Sequence, residues 1–247
     1  MRVVVEVCVA SVDEAVVADN LGVDTIEVCQ WLACGGVTPS FGLLNVLQER
    51  VRARKRVLVR PTPGGFRYTQ DERQVLLRDA LMTGVGDDHC GIVTGALDAD
   101  GMPDAELVRG VLMGANGREV TFHRAIEFSP DIDEAFVRCI DLGVQRVLTS
   151  GGGTAAMDSL DVLHAMVRHA NGALIVAAAG GINPGNVVEV VERTGVPEVH
   201  FSAFRSSMVV ERGHALGIGG SAANFSTEPD VAKIEGVLNA LVKAGLR

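Results

Sequence analysis

Apolar, β-branched runs recur along this chain at residues 3–9, 24–29, 57–60, 91–94, 120–123, 146–149, 174–177 and 198–201, and each predicts a strand. After each one, apolar residues return at helical spacing, over 12–21, 43–54, 71–82, 105–113, 132–142, 156–169, 184–193 and 231–242. Three helix-to-strand joints repeat a short pattern: Leu21-Gly22-Val23-Asp24, Leu142-Gly143-Val144-Gln145 and Thr194-Gly195-Val196-Pro197. A glycine just past a helix end can take the left-handed conformation that releases the chain, and the valine after it enters the next buried layer. Strands that are apolar almost throughout need cover on both faces, which favours a parallel sheet. Eight βα units in 247 residues match a (β/α)8 TIM barrel, one domain over 1–247. The other arrangement open to such a pattern is a doubly wound sheet. No Gly-x-Gly-x-x-Gly follows the first strand, so neither that fold nor a nucleotide cofactor is expected.

The exceptions to the apolar pattern fall late in the strands: Glu6, Glu27, Arg60, Thr94, His123 with Arg124, Thr149 with Ser150, and His200 with Ser202. A carboxylate inside a barrel costs several kcal/mol unless it is paired or wet, and only the mouth is wet. The C-terminal ends of the strands are where barrel sites form, so these residues read as a site. Glu27 and His123 are its candidate acid and base, Arg60 or Arg124 would steady negative charge, and Glu6 and His200 would tune the others by proximity. A network of ion pairs plugging the barrel would use the same residue types. Two of the strands share a triplet, Glu6-Val7-Cys8 and Glu27-Val28-Cys29, with a variant in Glu198-Val199-His200. Period-two alternation places Cys8 on the face of Glu6 and Cys29 on the face of Glu27, although a free cysteine is often no more than a small buried apolar group.

Glycine-rich segments follow several strands. Ser40, after Cys34-Gly35-Gly36, reads as a helix N-cap; Gly151 and Gly152 follow strand 6, and Gly180 and Gly181 follow strand 7. With Ser202 and Arg205 they form a candidate anion site where many barrels hold phosphate through backbone amides. Residues 204–230, rich in Gly and Ser and without periodicity, read as a long loop over the mouth or against another subunit.

Net charge is −9, which disfavours nucleic acid, and the basic cluster at 50–56 reads as the solvated end of a helix. Residues 1–10 are too short for a signal segment and nothing approaches a membrane span, so a cytoplasmic protein is expected, without membrane partners. The five cysteines form no CxxC pair and are expected to be thiols, without structural zinc.

Several ungapped motifs, in order from strand 2 to strand 8, resemble the copper homeostasis protein CutC family. They are Glu27-Val28-Cys29, Gly35-Gly36-Val37-Thr38-Pro39-Ser40, Arg60-Pro61, Thr121-Phe122-His123-Arg124-Ala125, Arg146-Val147-Leu148-Thr149-Ser150-Gly151 and Glu198-Val199-His200-Phe201-Ser202-Ala203. The resemblance implies a cytosolic barrel, often dimeric, with a role in copper handling. It also implies, for some members, Cu(I) binding by cysteine, with Cys29 matching a proposed ligand; Cys8, on the neighbouring strand, offers a second soft thiol by position. The alternative is a cofactor-independent isomerase or lyase acting on a small anionic or phosphorylated metabolite. This chain departs from the family pattern in Thr62-Pro63-Gly64-Gly65-Phe66, which lacks the usual second arginine and the aspartate. It also has Glu127 for aspartate, and Ala179 for the first glycine after strand 7.

Overall fold

Valine and isoleucine dominate the strands because they pack well on a pleated surface covered from both sides. They form β1 (Val4–Val9), β2 (Thr25–Val28), β3 (Arg54–Leu58), β4 (Gly91–Thr94), β5 (Val120–Phe122), β6 (Arg146–Thr149), β7 (Ile175–Ala178) and β8 (Glu198–Ser202). The structure, a computed structural model, describes residues 2–83, 90–208 and 225–247. All eight strands run parallel in chain order, and β8 pairs with β1 to close the barrel. Around it lie α1 (Val12–Asn20), α2 (Phe41–Arg50), α3 (Gln70–Met82), α4 (Ala105–Ala115), α5 (Ile132–Leu142), α6 (Leu160–Ala170), α7 (Val187–Thr194) and α8 (Val231–Lys243). The glycines at the three repeated joints, Gly22, Gly143 and Gly195, all take positive φ. No described helix is long and apolar enough to cross a membrane.

Three expectations from sequence change. The second helix ends at Arg50, and the chain re-enters the sheet at Arg54, three residues before the expected start. The basic cluster at 50–56 is therefore split, and Arg56 lies inside the barrel at 1% exposure instead of on a solvated helix end. The sixth helix begins with a separate one-turn 3-10 segment, Ala156–Ser159. The expected loop at 204–230 is flanked by β9 (Phe204–Met208) and β10 (Phe225–Pro229), an antiparallel ribbon outside the barrel. Its middle, 209–224, lies outside the described residues.

Register explains which side chains meet inside. Glu6 is level with His200 across the β1–β8 seam, and Cys8 is level with Glu27 across β1–β2. Above Glu6 the interior holds two small apolar clusters, one of Cys8, Cys29, Leu58 and Val93 and another of Leu148, Ala177 and Ala179, beside the buried Glu27.

Candidate functional site

The barrel interior carries a ring of charge from four strands and the residue before a fifth. Arg146 donates to Glu6 at 2.7 Å and to Glu198 at 2.8 Å. Arg56 donates to Glu6 at 2.5 Å, to Glu198 at 3.2 Å and to Glu119 at 2.6 Å. Burial would raise the Glu6 pKa, but Arg146 and Arg56, helped by His200, outweigh it and hold the carboxyl well below its usual range. Glu6 is therefore a member of a paired internal network: it has no exposed surface and lines no part of the cavity above, and it acts on the mouth only through its charge.

His200 links this ring to the mouth. Its Nδ1 lies 2.9 Å from Glu6 Oε1, as donor to an ionised carboxylate, and 3.5 Å from Glu27 Oε2. Glu27 Oε2 is buried and accepts no hydrogen bond from the described residues. Burial is the largest influence on Glu27; His200 opposes it and the charge of Glu6 reinforces it, so the carboxyl titrates above its ordinary value. Ligand atoms of Glu6, Glu27 and His200 lie within 4.8 Å of one another. A cation there would face two guanidinium groups, because Arg146 and Arg56 already occupy both oxygens of Glu6. That opposition makes the trio a poor divalent site.

Above the ring, a cavity of about 1000 Å3 opens at the C-terminal ends of the strands. Cys8, Glu27, Arg60, His123, Arg124 and His200 all line it. Cys29 lies just beneath at 1% exposure, its Sγ 3.5 Å from that of Cys8 and 3.5 Å from the Val9 carbonyl oxygen. The hydrogen bond with Cys29, then burial, then the charges of Cys29, Glu27 and Glu6 raise the Cys8 thiol well above its ordinary pKa. The Cys8 thiol thus keeps its proton at neutral pH unless a metal displaces it.

His123 follows β5 and caps the 3-10 turn Arg124–Phe128, its Nδ1 accepting from the Ala125 amide at 3.2 Å. The ring hydrogen must then sit on Nε2, which is buried and has no partner among the described residues. Burial, followed by the charge of Arg60, pushes its pKa down to about 3. His123 is accordingly neutral at neutral pH, with its Nδ1 engaged by the Ala125 amide and its Nε2–H buried beside the cavity. A Cβ on Gly95 would stand 2.2 Å from the His123 ring and 2.9 Å from Ala125. Gly95→Ala should cost about 1–3 kcal/mol by overpacking. It should also displace the histidine, read as a change in its ring NMR signals together with a lower Tm.

Arg124 is half-occupied by its ion pair with Glu127 at 2.8 Å and by Ser150 Oγ at 3.2 Å. The candidate anion loop is only partly assembled. Gly180, Gly181 and Ser202 line the cavity. By contrast, Gly151 packs against Ser159 and Leu163 under α6, and Gly152 faces Ile132, so neither reaches the cavity. Arg205 is exposed on the ribbon and does not line it either. The cation that does arrive there is Lys233, from the first turn of α8, bonded to the Ser202 carbonyl oxygen at 2.8 Å. Sequence gave no sign of it, since it lies thirty-one residues after Ser202. Phe66 was also missed as a cavity wall; it packs on His123, with ring centroids 5.1 Å apart.

The fold and this mouth define a (β/α)8 barrel with an open cavity and a buried thiol pair at its floor. Comparison narrows it further. The CutC family model matches residues 3–205. A CutC family protein of Glaesserella parasuis serovar 5 is 36% identical over 95% of this chain and 97% of its own length. The human copper homeostasis protein cutC homolog is 36% identical over 96% of this chain and 88% of its own. The crystal structure of the putative copper homeostasis protein CutC from Streptococcus agalactiae has a TM-score of 0.74 at 25% identity, over 80% of this chain and 97% of that one. The chain belongs to the CutC family. N-(5'-phosphoribosyl)anthranilate isomerase from Pyrococcus furiosus, with a TM-score of 0.56 and 17% identity, shares the fold alone.

Proposed function

We propose that this chain handles copper, with Cu(I) held between the Sγ atoms of Cys8 and Cys29 at the floor of the barrel mouth. The observation that carries this reading is the 3.5 Å separation of the two thiols. Two thiolates sharing an ion at about 2.3 Å each, the metal–sulfur distance of zinc sites, stand roughly 3.8 to 4.6 Å apart. The pair therefore needs to open by no more than about 1 Å. Soft sulfur suits Cu(I), which accepts low coordination, and the apolar neighbours Leu58 and Val93 offer no hard oxygen ligand. The human relative is named a copper homeostasis protein, which agrees with this reading. Cu(I) when bound would supply a soft centre at the base of the cavity, and the protein's part is to bring the two sulfurs together and exclude water from them.

The test is an anaerobic Cu(I) titration against a competing chelator, comparing the native chain with Cys8→Ser and Cys29→Ser. One tight equivalent in the native chain, lost in either variant, is the expected result. Binding no stronger than that of an exposed thiol, unchanged by the substitutions, would refute it.

A further inference from the structure

Three arginines are buried among the described residues: Arg56, Arg60 and Arg146. Arg56 and Arg146 each face two or more carboxylates. Arg60 faces none, although it is only 5% exposed. Its terminal nitrogens donate to the carbonyl oxygens of Cys34 at 3.1 Å, Gly36 at 2.8 Å and Gly64 at 2.7 Å, and its Nε–H has no partner. Carbonyl oxygens satisfy N–H groups but carry no formal charge, so no counter-ion pairs with this charge among the described residues. Buried charges persist when they are paired or when a ligand completes them.

The second orphan N–H lies on the same wall. Phe66 joins the two residues, its ring centroid 5.1 Å from the Arg60 guanidinium carbon and 5.1 Å from the His123 ring centroid. All three line the cavity. His123 cannot turn its Nε2–H elsewhere without giving up the Ala125 cap, and its ring occupies the space that a side chain at 95 would fill. Elsewhere the cavity wall carries apolar surface from Phe128, Leu148 and Ile182, with charged groups from Glu27, Arg67, Arg124, Glu127 and Lys233. Two fixed donors and one uncompensated charge, beside an apolar wall, match a singly charged group on a small organic body.

We propose that Arg60 and His123 bind the carboxylate of a small organic acid in the barrel mouth, Arg60 contributing its charge and Nε–H and His123 its Nε2–H. This site is separate from the thiol pair. It uses no residue within reach of the copper by covalent ligation, and it gives the cavity an organic occupant that a metal-binding role alone does not require. Neutrality of His123 follows from its burial beside Arg60, and it keeps the donor in place across the physiological range.

Metal-free protein, titrated with pyruvate and with benzoate at constant ionic strength, tests this directly, with benzamide as the uncharged control and inorganic phosphate as a second anion. The readouts are the dissociation constants and the NMR signal of the His123 Nε2–H. Expected is saturable binding of at least one carboxylate, with a shift of that signal and no response to benzamide. His123→Asn retains a capping oxygen for the Ala125 amide while withdrawing the distal donor. It should weaken carboxylate binding roughly tenfold or more, the worth of one hydrogen bond to a charged group, without unfolding the chain. Arg60→Gln should abolish the binding. No saturable carboxylate binding, equal binding of benzamide, or unchanged affinity in His123→Asn would each overturn the proposal. Phosphate binding that ignores His123→Asn would assign the anion to Lys233 and Arg124 instead, and would also overturn it. Because Cys8 and Cys29 are untouched, the Cu(I) titration of His123→Asn is expected to match the native chain, so the two readings fail separately.

Discussion

Arg146→Met should destabilise the protein by about 3–5 kcal/mol, the usual result of removing one partner from a buried ion network. Arg146 is fully buried and bridges Glu6 and Glu198. Without it, those two carboxylates and Glu119 share Arg56 as their only buried cation among the described residues. In a chain of this length the loss corresponds to a fall in Tm of roughly 6–20 °C. Arg146→Lys keeps the charge but not the fork that reaches both acids, and should cost less. The effect has a definite dependence on pH. Glu6 is held below its ordinary pKa of 4.5, with Arg146 the largest lowering influence after the opposing effect of burial. A depressed carboxyl contributes stability that is present above its unfolded pKa and is lost as the pH falls through the folded one. The gap between native and Arg146→Met chains should be widest above about pH 4.5 and should narrow below it. Urea unfolding of both chains across that range measures it, and a gap that widens on acidification would contradict the assignment of Glu6 as the ionised centre of the ring.

The affinity for Cu(I) should rise steeply with pH. The Cys8 thiol lies well above its ordinary pKa of 9.0, because Cys29 hydrogen-bonds to it, burial penalises the thiolate, and the charges of Cys29, Glu27 and Glu6 oppose ionisation. At neutral pH that proton has to leave before sulfur can ligate. Each displaced proton strengthens apparent binding about tenfold per pH unit for as long as the pH stays below the thiol pKa. Chelator competition at a series of pH values should give a slope of one or more in the logarithm of the association constant. A flat profile would place the metal on groups already ionised at neutral pH.

Much of the barrel is visible in the sequence because β-branched runs alternate with helical periodicity, and all eight strands fall where those runs do. The start of β3 was not visible. Arg54, Lys55 and Arg56 look like solvent-facing residues to any local reading, and only closure of the sheet gives Arg56 its acidic partners on β1 and β8. The same closure explains Glu6. From one strand it reads as a wet mouth residue, yet the ring formed with Arg146 from β6 makes it a satisfied interior charge. At the mouth, Glu27, Arg60, His123 and His200 do come together, since each ends or follows a strand and strand ends are gathered by topology. Glycine pairs were less informative. Gly180 and Gly181 reach the cavity, while Gly151 and Gly152 serve the packing of a turn, and the sequence of the two segments does not distinguish these uses. The direction in which His123 presents its proton depends on the cap it gives to Ala125, a three-dimensional fact with no sequence signal.

The most direct test of the copper assignment is the X-ray absorption spectrum of the protein loaded anaerobically with one equivalent of Cu(I). A first shell dominated by two sulfur atoms, replaced by a mixed shell in Cys29→Ser, is the result the account predicts. A shell of nitrogen and oxygen without sulfur would contradict it and would move the metal to the His200 and Glu27 side of the mouth.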